Sequence, residues 1–224
     1  MISTRIVAIS VLGATLAAPL VRAGDLSRHR EFQFGMDLPA VIKQAKTEPP
    51  EAKVIHQRPA VIQELTWQPQ RLLGPSAETD PVSEVIFSFY NGELYRIVVS
   101  YDRYKTVGLT AEDMIESISA SYGTATKPAA EIAFGYNERE KILARWEDPQ
   151  YSVNLVRSSY GLAFTMVVLS KRLDALAGTA ITEAIQIERQ EAPQREIERQ
   201  KRQDEETRVA RAKARLVNKP TFRP

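Results

Sequence analysis

A change of composition near Lys171 constrains this chain more than any motif in it. Before that point, runs rich in Val, Ile, Phe and Tyr alternate with Gly and Pro turns; after it come charged residues, Gln and Ala, with few aromatics. The first pattern is that of strands with a buried face, the second that of helix formers. The expected fold class is α+β: a globular domain over about 24–171, a charged helical extension over 172–217, and a disordered tail at 218–224.

Within the extension, Leu173, Leu176, Ala177, Ala180, Ile181, Ala184 and Ile185 keep the i, i+3, i+4 spacing of a helix that packs on the domain. Pro193 is predicted to break it, because proline removes a backbone donor and clashes with the preceding turn. Beyond Gln194, Ile197, Val209, Leu216 and Val217 form no heptad seam, so the chain reads as an exposed helix rather than a coiled coil. From Thr207 onward there are basic residues and no acidic one: Arg208, Arg211, Lys213, Arg215, Lys219 and Arg223. A basic end suits the helix dipole. It also fits an anionic surface, either lipid head groups or an acidic cell-wall polymer.

The globular part repeats itself. Phe34-Gly35-Met36-Asp37 and Val107-Gly108-Leu109-Thr110 align without gaps, each an apolar residue, Gly, an apolar residue and an N-cap. Each leads into a helix, carrying Val41-Ile42 in one case and Met114-Ile115 in the other. Each helix is followed by a strand ending in Trp, at Trp67 and Trp146, and then by two more strands. The predicted plan is two tandem helix-plus-antiparallel-sheet units, about 30–102 and 103–171, followed by the long charged C-terminal helix. In the second unit Tyr151 to Leu155 alternates, predicting one wet face, whereas Leu162 to Leu169 is apolar throughout most of its length and is predicted central.

In the first unit, Val85–Phe89 and Leu94–Tyr101 flank Asn91-Gly92. A two-residue Asn-Gly turn mixes apolar faces, so a three-residue loop, Tyr90-Asn91-Gly92, is preferred; it places Tyr95, Ile97 and Val99 on the face of Val85, Phe87 and Phe89. Tyr90, Tyr95 and the run Tyr101-Asp102-Arg103-Tyr104-Lys105 then form a candidate interface (Tyr90, Tyr95, Tyr101, Arg103, Tyr104, Lys105), because Tyr and Arg offer large contact area at low entropic cost.

The first 23 residues have the pattern of a secretory leader: Arg5, an apolar run from Ile6 to Ala18, and Val21-Arg22-Ala23 before an expected cleavage at Gly24. Two of the 30 basic residues lie in that leader and no acidic one does, leaving 28 against 28 acidic. A periplasmic or secreted location follows as an expectation, with no transmembrane span after the leader. There is no cysteine, which excludes disulfides, thiolate metal sites and a lipid-bearing thiol. His29 and His56 share no ligand spacing and read as surface loop residues. No Gly-rich phosphate loop and no Gly-x-Ser-x-Gly elbow occurs. Expected cofactors are none, metals none, nucleic-acid partners none. The favoured reading is a non-enzymatic module that binds an envelope protein; the others are an anionic-surface binder and a hydrolase whose site is assembled in space.

The leader, Phe34-Gly35-Met36 and the Phe89–Tyr95 hairpin resemble small exported bacterial proteins of unassigned role. Over about Arg30 to Ser170 the tandem plan is similar to the β-lactamase inhibitor protein fold and to the small lipoprotein of the outer-membrane β-barrel assembly machine. The resemblance implies non-catalytic protein binding. The lipoprotein's cysteine and the inhibitor's disulfides are missing here, so neither activity and no binding residue carries over.

Overall fold

Two glycines in the left-handed region start the two domain helices. Gly35 (φ 86°) and Gly108 (φ 83°) hold backbone that a Cβ would strain, and each turns the chain into an N-cap. The Asp37 carboxylate accepts from Ala40 N at 2.9 Å and caps α1 (Leu38–Ala45). Thr110 and Asp113 form a reciprocal capping box at the start of α2 (Ala111–Tyr122). The computed structural model describes residues 24–46, 52–69, 80–134, 138–157, 163–221 and 223. The leader expected over 1–23, Leu162 of the strand expected over Leu162 to Leu169, and Phe222 and Pro224 of the expected tail lie outside the described residues.

The protein is α+β, with one eight-stranded antiparallel sheet and a long C-terminal helix. After a two-residue hairpin, β1 (Arg28–His29) and β2 (Phe32–Gln33), the first half supplies β3 (Lys53–His56), β4 (Ile62–Trp67), β5 (Val82–Tyr90) and β6 (Glu93–Tyr101). The second supplies β7 (Glu131–Phe134), β8 (Glu138–Glu147), β9 (Tyr151–Arg157) and β10 (Phe164–Ser170). The sheet order, β3-β4-β5-β6-β10-β9-β8-β7, is a mirror sequence. Each half runs helix, edge strand, Trp strand and two further strands, and the halves meet where β6 pairs with β10. The strands β3 and β7 are additions to the three per unit read from the sequence.

One face of the sheet carries the main core. Val85, Phe87, Phe89, Leu94, Ile97, Val99, Met166, Val168, Val153, Leu155 and Trp146 are buried there under Val41 and Ala45 of α1 and Met114 and Ile118 of α2. β10 is buried at every position, as its central place requires. β9 is buried at nearly every position too, contrary to the wet face expected of it. Ile132 of β7 packs on Ile142, Val156, Val167 and Leu169, and Ala133 O accepts from Arg96 at 3.0 Å. The β7–β8 hairpin thus folds over the second face, and the polar residues beneath satisfy one another: Asn154 donates to Ser152 Oγ at 2.9 Å and accepts from Arg145 Nε at 2.7 Å.

The β5–β6 turn also differs from expectation. Asn91 (φ 49°) and Gly92 (φ 87°) form a two-residue turn with Tyr90 opposite Glu93 and Phe89 opposite Leu94. The register then shifts, so that Phe87 faces Ile97. A bulge at Tyr95 therefore keeps the apolar faces aligned, with Leu94 on the core side and Tyr95 on the other face.

The C-terminal helix α3 (Lys171–Thr221) is 51 residues long and passes through Pro193 and Pro220. Pro193 does not break it: only one ladder bond is lost, the flanking Glu, Gln, Arg and Ala residues are strong helix formers, and Glu191 and Arg195 pair across the proline. Nor is 218–221 a disordered tail, since the helix continues and Thr221 Oγ1 donates to Asn218 O at 3.0 Å. Leu173, Ala177 and Ile181 lie on Ile62, Tyr95, Tyr90 and Ile55. Ion pairs follow the same path, Lys171–Glu147 (2.6 Å), Asp174–Arg96 (2.6 Å) and Glu191–Arg58 (2.9 Å), and His56 Nδ1 lies 3.0 Å from Glu188 Oε1. After Glu191 every described residue of α3 is exposed. The free arm is about 30 residues, or about 45 Å at 1.5 Å per residue. Among the described residues no helix is long and apolar enough to cross a membrane.

Candidate functional site

The structure does not gather the six candidate interface residues on one exposed surface. Tyr95 is buried under α3 and Tyr90 packs beside it. Burial pushes the Tyr95 hydroxyl up to about 12, and that of Tyr101 likewise to about 12. Tyr101 packs on the main core, with its hydroxyl 3.9 Å from Met166 Sδ. Lys105 holds structure rather than facing a partner, because its Nζ donates to Asp80 O at 2.8 Å. Arg103, Tyr104 and Lys105 are the exposed members of the six.

The loop that carries them is built tightly. Asp102 Oδ1 accepts from Tyr104 N at 2.7 Å, and Asp102 O accepts from both Thr106 N (3.0 Å) and Thr106 Oγ1 (2.9 Å). Leu109 N donates to Thr106 O at 3.1 Å, and Gly108 then turns the chain into α2. Asp80, which Lys105 grips through its carbonyl, is itself held by a bidentate pair with Arg30 (2.8 and 2.9 Å), which keeps its carboxyl below the usual range. On this frame Tyr104 is 72% exposed, Val107 77% and Leu109 41%. The Arg103 guanidinium lies 4.5 Å from the Tyr104 ring centroid and donates to its hydroxyl.

The matching loop of the first half is spent on the fold. Gly35 N donates to Leu94 O at 3.0 Å and Leu94 N donates to Met36 O at 2.9 Å, so the loop is stitched to β6. Phe34 stacks on Tyr151 with centroids 5.5 Å apart, and Phe34 and Met36 both pack on the core. Val107 and Leu109, the counterparts of Phe34 and Met36, were read from the sequence only as a helix entry. The signal that marks them is the repeat itself: the same apolar-Gly-apolar pattern occurs twice.

Both histidines are buried rather than exposed. His29 Nδ1 lies 3.1 Å from the Tyr122 hydroxyl, its Nε2 has no partner among the described residues, and burial, helped by Arg30, pulls its pKa down to about 4. His56 pairs with Glu188 at the wall of a cleft of about 280 Å³ between β3 and α3, lined also by Val54, Arg58, Ile187 and Arg195. Arg58 and Arg195 both bond Glu191 there. Among the described residues no group of His, Asp and Glu could hold a metal. The carboxylate pairs have structural duties: Asp113 in the capping box, Glu147 with Lys171, and Asp148 Oδ1 accepting from Gln150 N and Tyr151 N. The basic residues Arg208, Arg211, Lys213, Arg215 and Lys219 lie on the free arm of α3, and Arg223 lies just beyond it. No protein-family model, curated protein or solved structure matches this chain.

Proposed function

We propose that this chain is an exported, non-enzymatic interaction module of a bacterial envelope that captures a protein partner on the Arg103–Leu109 loop. One observation carries the reading: this loop holds Tyr104, Val107 and Leu109 in water on a hydrogen-bonded frame, whereas Phe34 and Met36, the counterparts of Val107 and Leu109, pack partly buried on the core. A fixed loop contributes contact area without the ordering cost that a mobile one incurs. The Arg103–Tyr104 pair has the chemistry of an interface anchor, and the flanking aliphatics supply an apolar rim. Export is supported by the leader pattern over 1–23.

The test is affinity capture from the envelope of the producing cell by the mature chain and by Arg103→Ala and Tyr104→Ala. Both variants are expected to keep the parent's urea midpoint and to lose most of the capture. Full capture by both would remove the loop as the interface.

A further inference from the structure

The free arm of α3 carries a second surface of different chemistry. An α-helix turns about 100° per residue. Spacings of three, four and four residues therefore stack Arg208, Arg211, Arg215 and Lys219 in an arc about 80° wide. Val209, Ala212 and Leu216 fall in the adjoining arc, and Lys213 falls on the opposite side. Leu216 is 78% exposed and Val209 42%. Arg208 bonds Glu205 at 2.8 Å, whereas Arg211, Arg215 and Lys219 make no ion pair among the described residues. No acidic residue follows Glu206. The arm also holds this stripe away from the domain, with Asp204 and Glu205 the nearest carboxylates on its face, one turn or less before Arg208. Arg208 stands about 25 Å along the helix from Glu191, where the helix leaves the sheet. That is about three Debye lengths at physiological salt, so the carboxylates of the domain do not screen it.

We propose that this face, Arg208, Arg211, Arg215 and Lys219 with Val209 and Leu216, docks on an anionic lipid bilayer. The cations complement the head groups, each strengthening binding about fivefold. The adjoining aliphatics select a bilayer over a soluble polyanion, because only a bilayer offers an apolar layer just beneath the charge. With so narrow an apolar strip the contact is peripheral, reversible and salt-sensitive. The Tyr104 loop takes no part in it, so failure here leaves partner capture by that loop untouched.

The experiment is co-sedimentation of the full mature chain with vesicles of 30% phosphatidylglycerol in phosphatidylcholine, against pure phosphatidylcholine and against inorganic polyphosphate, at physiological salt. Arg215→Glu and Lys213→Glu change net charge equally but sit on opposite faces. Arg215→Glu is expected to weaken vesicle binding tenfold or more, and Lys213→Glu less than threefold. Leu216→Ser is expected to weaken vesicle binding severalfold and to leave polyphosphate binding unchanged. Circular dichroism of each variant checks that the helix is intact. Equal loss for the two charge reversals overturns the oriented face. Binding to phosphatidylcholine alone, no binding to anionic vesicles, or polyphosphate binding as tight as vesicle binding with Leu216→Ser silent overturns the bilayer as the partner.

Discussion

The two halves of the domain use one plan for different ends. In the first, the loop before α1 is pinned to β6 and its Phe34 is stacked on Tyr151. In the second, the loop before α2 is pinned to itself and to the Asp80-Pro81 segment, and Val107 and Leu109 face water. The indoles differ as well. Trp146 Nε1 donates to Gly123 O at 2.9 Å and Ser119 Oγ at 3.2 Å, whereas the buried Trp67 Nε1 has no partner among the described residues. A repeated fold needs its core twice but needs each peripheral contact only once. Wherever the second copy leaves such a contact unmade, side chains are released for another purpose.

The comparison can be strained experimentally, starting where the halves touch. His29, from the first half, is buried against Tyr122 of the second, and its folded pKa is depressed to about 4. Well above pH 6.5 it is neutral in both states. As pH falls from 6.5 toward 4 the unfolded chain takes up a proton that the folded chain refuses, so stability drops by on the order of 3 kcal/mol. Urea midpoints measured at pH 7 and pH 4.5 should differ accordingly, and His29→Gln should narrow the gap.

Next in size is the packed loop. Phe34→Ala is expected to cost about 2 kcal/mol through lost burial and stacking. The matched Val107→Ala should stay within about 0.5 kcal/mol. Equal losses in urea unfolding would show that both loops are structural. Smaller again is the difference between the indoles. Trp146→Phe leaves two acceptors without their donor and Trp67→Phe leaves none, so the first should cost about 1–2 kcal/mol more. Smallest is removal of the arm: deletion of 194–224 should leave the urea midpoint of the domain within the error of the measurement, because no described residue beyond Glu191 is buried.

What the sequence disclosed was local. The caps at Asp37 and Thr110, the glycine turns before them and the docked stripe of α3 each depend on residues a turn apart, and each can be read from spacing. The misreadings depended on distant partners. Ser152 and Asn154 look like a wet face until the β7–β8 hairpin is known to cover them. Tyr95 appears on the core side unless a bulge supplies the extra residue, and without that bulge the two-residue turn mixes the apolar faces. Pro193 was weighed by its own cost, without the helix formers on either side of it. The candidate interface was scattered for a similar reason. Six residues close in sequence were divided by the pleat of the sheet and the path of α3, so Tyr95 and Tyr101 pack inward while Arg103, Tyr104 and Lys105 stay exposed beside Val107 and Leu109.

The most direct measurement places a photoreactive residue at Val107 and, as a control, at Thr179, an exposed position on the docked part of α3, and irradiates the producing cells. The account predicts a discrete protein adduct from position 107 and none from 179. No adduct from position 107, or the same adducts from both positions, would contradict it.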